Sequence, residues 1–236
     1  LDMYTYHQAR DLSSHTRFVY EYVCGRGSVE TKRALMQRVV HLIADPHAAS
    51  VRKTYALRVL LNPMLVSSYA AEEAPLSVET QASAASSQKP ECAHTIVSAA
   101  NHEPLLNKEM VLLVVNQVWR IVQGHGMAMF TDDELRVELL QMSTLILEHG
   151  ADVLAAEGTS KLDAIKFGWS FLPLEDVTVK HAAYLFISRF LQKFESPIKI
   201  TGQVYVGLLR LTPSDGRALV RRALDTLVPA LPCLLY

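Results

Sequence analysis

The side chains of this sequence that are best suited to bind another molecule are basic. Arg217 and Arg221 are four positions apart, so in a helix they share one face, and Lys199 precedes them in the same basic region. Cations beside an apolar groove can receive an acidic, amphipathic peptide. The alternative, and the favoured interpretation, is an ordinary solvated helix face. The sequence therefore supplies one candidate partner-binding stripe, which consists of Lys199, Arg217 and Arg221.

The motifs that mark common enzymes are missing from the sequence. It contains no glycine-rich phosphate loop, no H-E-x-x-H zinc helix, no G-x-S-x-G elbow and none of the kinase motifs. The short glycine clusters at Gly25 and Gly124 are too small to cradle a phosphate and are better explained as helix ends. We therefore predict no catalytic residue and no cofactor.

Soft metal ligands occur in the chain, but without the spacing of a metal site. Cys92, His94 and His102 lie close together, whereas a structural zinc site needs four ligands at defined intervals. Cys24 and Cys233 are far from Cys92, and the odd number of cysteines gives no disulfide framework. The sequence predicts no metal site and favours a reducing, intracellular compartment.

Four aromatic side chains have two possible roles. Trp119, Phe167, Trp169 and Phe171 could be recognition aromatics, yet all fall within predicted helices at spacings that suit burial. We expect them to belong to the core.

Composition places the chain among ordinary globular proteins. Half of its 236 residues are hydrophobic, 20% are charged and the formal net charge is −1, which gives no whole-chain electrostatic reason to expect nucleic-acid binding. The apolar run from Val111 to Val115 is far shorter than the roughly 20 residues that span a bilayer, so no membrane anchor is predicted. Because the chain opens at Leu1 without a signal peptide, we expect both ends to be cuts from a longer polypeptide.

The elements that would position these side chains are short helices separated by prolines. The clearest helix follows Glu175, and its apolar positions recur with helical spacing. Further apolar residues spread around its circumference, so neighbours must cover it on two sides. Such a helix is typical of the inner row of a stacked array. Its main apolar positions are Val179, Ala183, Phe186, Phe190 and Phe194.

A dipeptide of one aliphatic and one basic residue recurs near the start of every second predicted helix. It begins at Leu135, Val179 and Val220, at intervals of 44 and 41 residues, and another copy begins at Val51. Helix-pair repeats of about 40 to 47 residues are typical of HEAT and armadillo proteins. We therefore predict an all-α, HEAT-type helical-hairpin solenoid, with second helices starting near Ala48, Thr131, Glu175 and Ser214.

The chain is predicted to contain two helical parts. Residues 1–70 form the first and residues 105–232 the second, followed by a tail at 233–236. Between them, residues 71–104 are rich in Ala and Ser and are predicted to be a disordered insertion. Ser28 and Thr131 are predicted helix caps, and Pro63 either kinks the second helix or ends it.

Four runs between about Thr131 and Pro232 are DDELRVELLQMSTLI, IKFGWSFLPLEDVTVKHAAYLFISRF, SPIKITGQVYVGLLRL and GRALVRRALDTLVPALP. They closely resemble the helical region of the transcription-associated TRRAP family, with no match at 71–103. This family is related to the phosphatidylinositol-3-kinase-like kinases and carries a degenerate kinase domain, so the resemblance implies a non-catalytic, nuclear scaffold of SAGA-type histone acetyltransferase complexes. The implied partners are transcription activators and neighbouring complex subunits, within a large hetero-complex, without direct contact to nucleic acid or membrane.

Two alternatives stay open at the level of sequence. The chain could be a helical segment of an active phosphatidylinositol-3-kinase-like protein kinase whose catalytic residues lie elsewhere. It could also belong to another HEAT adaptor, such as a nuclear transport receptor.

Overall fold

The computed structural model describes residues 27–70, 104–194, 196, 198–210, 221 and 224–225. The regular structure of these ranges is helical, without any strand. Two helices, α2 and α3, each contain a π-helical segment. The helices are α1 (Val29–Ala44); α2 (Ser50–Tyr55, π-helical Ala56–Leu61 and Asn62–Ala70); α3 (Lys108–Val114, π-helical Val115–Trp119 and Arg120–His125); α4 (Asp133–His149); α5 (Ala151–Ala156); α6 (Gly158–Ser170); α7 (Val177–Lys193); and α8 (Ile198–Leu209).

These helices form stacked hairpins. The pairs α1/α2, α3/α4 and α6/α7 follow one another along the chain, and α5 is a short connecting helix. The first members pack side by side in an outer row, α1 on α3 and α3 on α6, while the second members form an inner row, α2 on α4 and α4 on α7. Helix α8 packs on α7. This arrangement confirms the predicted all-α, helical-hairpin solenoid.

Helix α7 is buried on several sides, as its sequence predicts. It packs most extensively against α4 and also contacts α6 and α8. The predicted stripe from Val179 to Phe194 is buried, and His181 and Ile187 on other sides of the helix are buried as well. Val179 and Leu135 are both fully buried near the starts of α7 and α4. The 44-residue interval therefore relates structurally equivalent core positions.

Two of the repeat copies have a different outcome. Val51 is 47% exposed, so it does not match the buried Leu135 and Val179. The buried residue of α2 at the position equivalent to Leu135 is instead Lys53. Lys53 precedes the buried Leu57 by four positions, as Leu135 precedes the buried Leu139. The alignment on Val51 was therefore wrong by two residues, because the dipeptide does not define which side of the helix faces the core. The copy at Val220 lies outside the described residues, as does the predicted helix start at Ser214.

Side-chain caps set several helix starts. The hydroxyl of Ser28 accepts a hydrogen bond from the Thr31 amide, as predicted, and the carboxylate of Asp176 accepts one from the Val179 amide. At α4 the cap is Asp132, whose carboxylate accepts from the Glu134 amide, so the prediction of Thr131 was wrong. Asp132 combines a capping acceptor with a negative charge at the positive end of the helix.

Pro63 does not interrupt α2. The helix widens into its π-helical segment just before this residue, where the Asn62 amide donates to the Leu57 carbonyl five residues earlier. A proline lacks an amide hydrogen and crowds the preceding turn of an α-helix. The helix continues past Pro63 to Ala70, so the predicted end of the helix at Pro63 was wrong.

An aromatic cluster fills the core between the two rows. The Phe167 ring centroid lies 5.7 Å from that of Trp119, 5.6 Å from that of Phe186 and 5.0 Å from that of Phe171. The indole Nε1 of Trp119 donates to the hydroxyl of Ser143 over 2.9 Å, so the buried indole is satisfied. The prediction that Trp119, Phe167 and Phe171 are core residues is confirmed.

We expect the close contact of α6 with α7 to be sensitive to one methyl group at Gly168. A Cβ there would stand 2.8 Å from Phe186 Cδ1 and 2.9 Å from Ile187 Cγ1, and both side chains are buried. Gly168→Ala should therefore lower the free energy of unfolding by about 1–3 kcal/mol, measured by chemical denaturation.

The matched control is Gly158→Ala, at the first residue of the same helix. A Cβ at Gly158 meets no atom within 4 Å, so the substitution should be neutral or stabilise the chain by up to about 1 kcal/mol. Equal effects of the two substitutions would contradict the close packing.

Candidate functional site

A buried carboxylate links α2 to α4 in the inner row. Glu138 Oε1 accepts from Arg58 Nε over 2.7 Å, and its Oε2 accepts from Asn62 Nδ2 over 2.9 Å. The exposed Glu134 also lies 3.4 Å from Arg58. The hydrogen bond with Glu138 and the charges of both carboxylates raise the pKa of Arg58. The bonds of Glu138 with Arg58 and Asn62 fix the register of α2 against α4. They also pair the charged side chains at the junction of these two helices.

Further ion pairs join successive helices within each row. In the inner row, Arg189 Nε of α7 lies 2.9 Å from Glu148 Oε1 of α4. In the outer row, Arg120 Nε of α3 lies 2.8 Å from Asp163 Oδ2 of α6, and the Gln123 amide donates to the Asp163 carbonyl over 2.8 Å. Because these groups are engaged with neighbouring helices, they are poorly suited to receive a ligand.

The two edges of the undescribed stretch 71–103 are anchored at one place. The Tyr69 ring stacks on His149 with centroids 3.8 Å apart, and its hydroxyl accepts from the Leu106 amide over 3.0 Å. Arg33 of α1 donates to the carbonyls of Pro104 and Leu105. The residues on both sides of this stretch, Tyr69 and Leu106, therefore lie together beside the α1/α2 hairpin.

A lysine is buried at the start of α2. Lys53 is 1% exposed, and its Nζ lies 5.5 Å from the centroid of the Phe130 ring. Burial lowers the pKa of Lys53 because the ammonium loses its hydration, and the negative charge of Asp45 partly opposes this. The neighbouring second helices carry apolar residues at this position, so Lys53 is an ionisable group in a core position rather than a free surface cation.

The predicted basic stripe is only partly described. Lys199 is exposed in the first turn of α8, and Arg221 is exposed in helical conformation, while Arg217 lies outside the described residues. Arg210, which is also exposed, directly follows the last residue of α8. The approach of Lys199, Arg217 and Arg221 to one another therefore stays a prediction.

An open depression lies between the carboxyl ends of α3 and α6. It has a volume of about 560 Å³ and is lined by Gln123, Lys166, Trp169 and Ser170. The indole of Trp169 is only partly buried, so its assignment to the core was incomplete. Trp169 and Lys166 share a helix face with Leu162, and this spacing of four and three residues was the sequence signal for a surface cluster. We call this feature the α3–α6 depression.

The described part of the chain contains neither a metal-ligand cluster nor a membrane-spanning helix. No group of three or more potential ligands lies there with a geometry that could hold a metal ion. The residues Cys92, His94 and His102 fall outside it. None of the described helices combines the length and apolarity needed to cross a bilayer.

Stacked helical hairpins of this kind define an α-solenoid. Residues 1–235 match the model of the Tra1 HEAT repeat ring region, so the chain belongs to this family.

Relatives in several organisms resemble different lengths of the chain. The chain is 43% identical over 99 residues to the SAGA complex/NuA4 acetyltransferase complex subunit TRA1 of Saccharomyces cerevisiae, covering 42% of the chain and 3% of that protein. It is 42% identical over 98 residues to a probable transcription-associated protein 1 of Dictyostelium discoideum, again 42% of the chain and 2% of that protein. It is 26% identical over 208 residues to the transformation/transcription domain-associated protein of Danio rerio, covering 85% of the chain and 5% of that protein. The chain thus spans a few per cent of these relatives' lengths.

We expect the buried carboxylate at the α2/α4 junction to matter more than its exposed neighbour. Glu138→Ala removes the carboxylate that accepts from Arg58 and from the buried amide of Asn62, which keeps only its longer bond of 3.3 Å to the main-chain carbonyl of residue 138. The substitution should lower the free energy of unfolding by about 2 kcal/mol. Glu134→Ala removes an exposed contact of the same Arg58 and should change it by less than about 0.5 kcal/mol. Denaturant titrations of the two variants measure the difference, and equal losses would show that Glu138 is no anchor.

Replacing Lys53 by Met should stabilise the chain at neutral pH. Since the pKa of Lys53 in the folded chain lies below its ordinary value of 10.5, the folded state binds fewer protons than the unfolded state between those two values. Wild-type stability therefore rises with pH through that window, and the advantage of Lys53→Met should shrink there and vanish above it.

Thermal unfolding of both proteins at a series of alkaline pH values measures this advantage. Lys193→Met, at an exposed lysine of α7, is the control and should show a difference from wild type that does not depend on pH. A constant advantage of Lys53→Met across the series would exclude a lowered pKa.

Proposed function

We propose that this chain is a non-catalytic scaffold segment of a Tra1/TRRAP-like subunit of SAGA-type histone acetyltransferase complexes. The observation that carries the proposal is the match of residues 1–235 to the Tra1 HEAT repeat ring region. The architecture supports it, since buried contacts join successive hairpins in both rows while the outer helix faces stay exposed. The segment acts by holding surfaces in fixed relation to one another.

The proposed setting is the nucleus, within a large hetero-complex. The Saccharomyces cerevisiae and Schizosaccharomyces pombe relatives are named as subunits of the SAGA and NuA4 acetyltransferase complexes, which supports this placement. The proposed partners are transcription activators and neighbouring acetyltransferase-complex subunits. Neither direct nucleic-acid binding nor membrane association forms part of the proposal.

The family decides between the alternatives that the sequence left open. The interpretation of the chain as part of a nuclear transport receptor is wrong, because the chain belongs to the Tra1 HEAT repeat ring family. An active phosphatidylinositol-3-kinase-like enzyme is disfavoured, since the relatives described above are named as transcription-associated proteins and acetyltransferase-complex subunits. The absence of a catalytic role in the parent protein remains part of our proposal.

The basic stripe at Lys199, Arg217 and Arg221 is the proposed contact for an acidic, amphipathic activation segment. The exposure of Lys199 and Arg221 supports this role, because both cations are accessible to a partner. Apolar residues of the segment would lie between adjacent helices, with its carboxylates towards the stripe.

We expect charge reversal in the stripe to weaken binding mainly through a slower association rate. Exposed charges at the rim of an interface steer encounter more than they hold the complex, so Arg217→Glu with Arg221→Glu should reduce the association rate more than it raises the dissociation rate. The effect should diminish with added salt, because the Debye length is only about 10 Å at 0.1 M. Stopped-flow anisotropy with a labelled acidic activation peptide, at two salt concentrations, measures both rates.

The control is Arg38→Glu with Lys180→Glu, which changes the net charge equally at sites on α1 and α7. If both double variants bind as the wild type does, the stripe is an ordinary solvated face.

A further inference from the structure

The connection between α7 and α8 carries the sequence Ser-Pro-Ile-Lys, which begins at Ser196. Two of the ten prolines in the chain follow a serine or threonine, and only here does a base stand two residues after the proline. The other proline, Pro213, has Asp215 at that place. A hydroxyl followed directly by proline, with a base at the third position, is the pattern that proline-directed serine/threonine kinases of the cyclin-dependent class accept. The sequence therefore marks Ser196 as a possible phosphate acceptor.

Ser196 lies in a non-helical connection that a kinase can reach. Helix α7 ends at Lys193 and α8 begins at Ile198, and Ser196 has no regular secondary structure. Its side chain is half-buried, and the hydroxyl donates to the Phe194 carbonyl two residues earlier over 3.3 Å. Because this bond is local, the hydroxyl can leave it without disturbing the packing of the helices. The proline that follows also favours an extended backbone at Ser196, which is the conformation in which kinases bind their substrates.

The base of the pattern, Lys199, stands in the first turn of α8 and is exposed. The first amides of a helix have no carbonyl partner within it, so this turn can open with little loss of hydrogen bonding. The fully buried side chains of α8 that are described, Val204 and Leu208, come later in the helix. A kinase can therefore extend the chain from Ser196 to Lys199 while α8 stays anchored on α7.

Three lysines lie near the acceptor. Lys193 and Lys199 are exposed, and they precede and follow the serine by three positions. The fold brings a third, Lys161 of α6, whose Nζ lies 4.9 Å from the centroid of the Phe194 ring. Within the described residues, none of the three is paired with a carboxylate. Since Glu195 is the one acidic neighbour in sequence, the connection has an excess of positive charge.

A phosphate on Ser196 would stand beside the amino end of α8, a helix of 12 residues. Phosphoserine carries a charge of about −1.5 to −2 near pH 7. The positive end of the helix and the ammonium groups of the lysines both favour such a charge. Phosphorylation would therefore link the end of α7 to the start of α8 and cancel the positive charge of this surface.

We propose that Ser196 is a phosphorylation site for a proline-directed serine/threonine kinase, and that Lys193, Lys199 and the amino end of α8 hold the phosphate. The kinase takes the proton of the Ser196 hydroxyl as the oxygen attacks the γ-phosphorus of MgATP. The bond from that phosphorus to the bridging oxygen breaks, and ADP leaves with the bonding electron pair. The modification is a charge switch at the α7–α8 connection, and it does not depend on the proposed scaffold function.

The test is phosphorylation of the full chain by a purified cyclin-dependent kinase–cyclin complex with radiolabelled ATP. Mass spectrometry should place the phosphate on Ser196 and not on Thr212, which precedes Pro213 but lacks the base. Ser196→Ala should abolish the labelling and Ser196→Thr should keep it, with circular dichroism to check that both variants fold. If the Ser-Pro pair serves only to begin α8, no label enters at Ser196 and the proposal is refuted.

The base of the pattern has its own test. Lys199→Ala should lower kcat/KM for phosphorylation about tenfold, and Lys199→Arg should restore it, because the charge at the third position is what the kinase recognises. Lys193→Ala removes the same charge on the other side of the acceptor and should keep the wild-type rate. Wild-type kinetics of Lys199→Ala, or labelling of Thr212 in preference to Ser196, would overturn the assignment.

Phosphorus NMR measures whether the phosphate is held. Neighbouring cations favour the dianion, so the second pKa of the phosphate, about 6 in phosphoserine, should be lower in the folded chain than in a phosphorylated peptide of residues 190–201. Lys193→Ala should raise this pKa towards the peptide value, whereas Arg38→Ala, at an exposed cation of α1, should leave it unchanged. Equal pKa values in the chain and the peptide would exclude the lysines and the helix end as partners of the phosphate.

Discussion

Burial of helices on more than one side is the constraint on which this structure depends. Helix α7 has apolar side chains around most of its circumference, and it contacts α4, α6 and α8. A single hairpin cannot cover such a helix, because its partner shields only one side. Each hairpin therefore requires the next one, and stacking is the arrangement that removes the apolar surface from water. Phe186 and Ile187 approach Gly168 so closely that a Cβ at this position would clash with both side chains.

Polar groups within the stack define how the helices are aligned. Glu138 is buried but satisfied by Arg58 and Asn62, and Trp119 is satisfied by Ser143. A buried carboxylate without such partners would cost several kcal/mol, so these bonds disfavour any other register of α2 on α4. Lys53 is the opposite case, since burial works against its charged form. It places a weak point at the start of α2, where the other second helices have aliphatic residues.

The same packing separates the surfaces that partners can use. Ion pairs between neighbouring helices neutralise the groups at the junctions, including Arg120 with Asp163 and Arg189 with Glu148. Exposed cations outside these pairs include Lys166 of α6, Lys193 of α7 and Lys199 of α8.

The sequence by itself determined the features that depend on local pattern. The start of α7 near Glu175, the cap at Ser28 and the buried stripe of α7 follow from spacing within one or two turns. The 44-residue interval relates Leu135 to Val179. These could be predicted because the side-chain period of a helix is fixed by its geometry.

Only the tertiary structure decided which side of each helix meets its neighbours. Burial of Lys53 in place of Val51, the edge position of Trp169 and the pairing of Arg58 with Glu138, 80 residues away, depend on how one hairpin is placed on the next. A periodic pattern gives the width of an apolar face but not the partner that covers it. The physical reason is that these positions are set by long-range packing, which no short window of sequence contains.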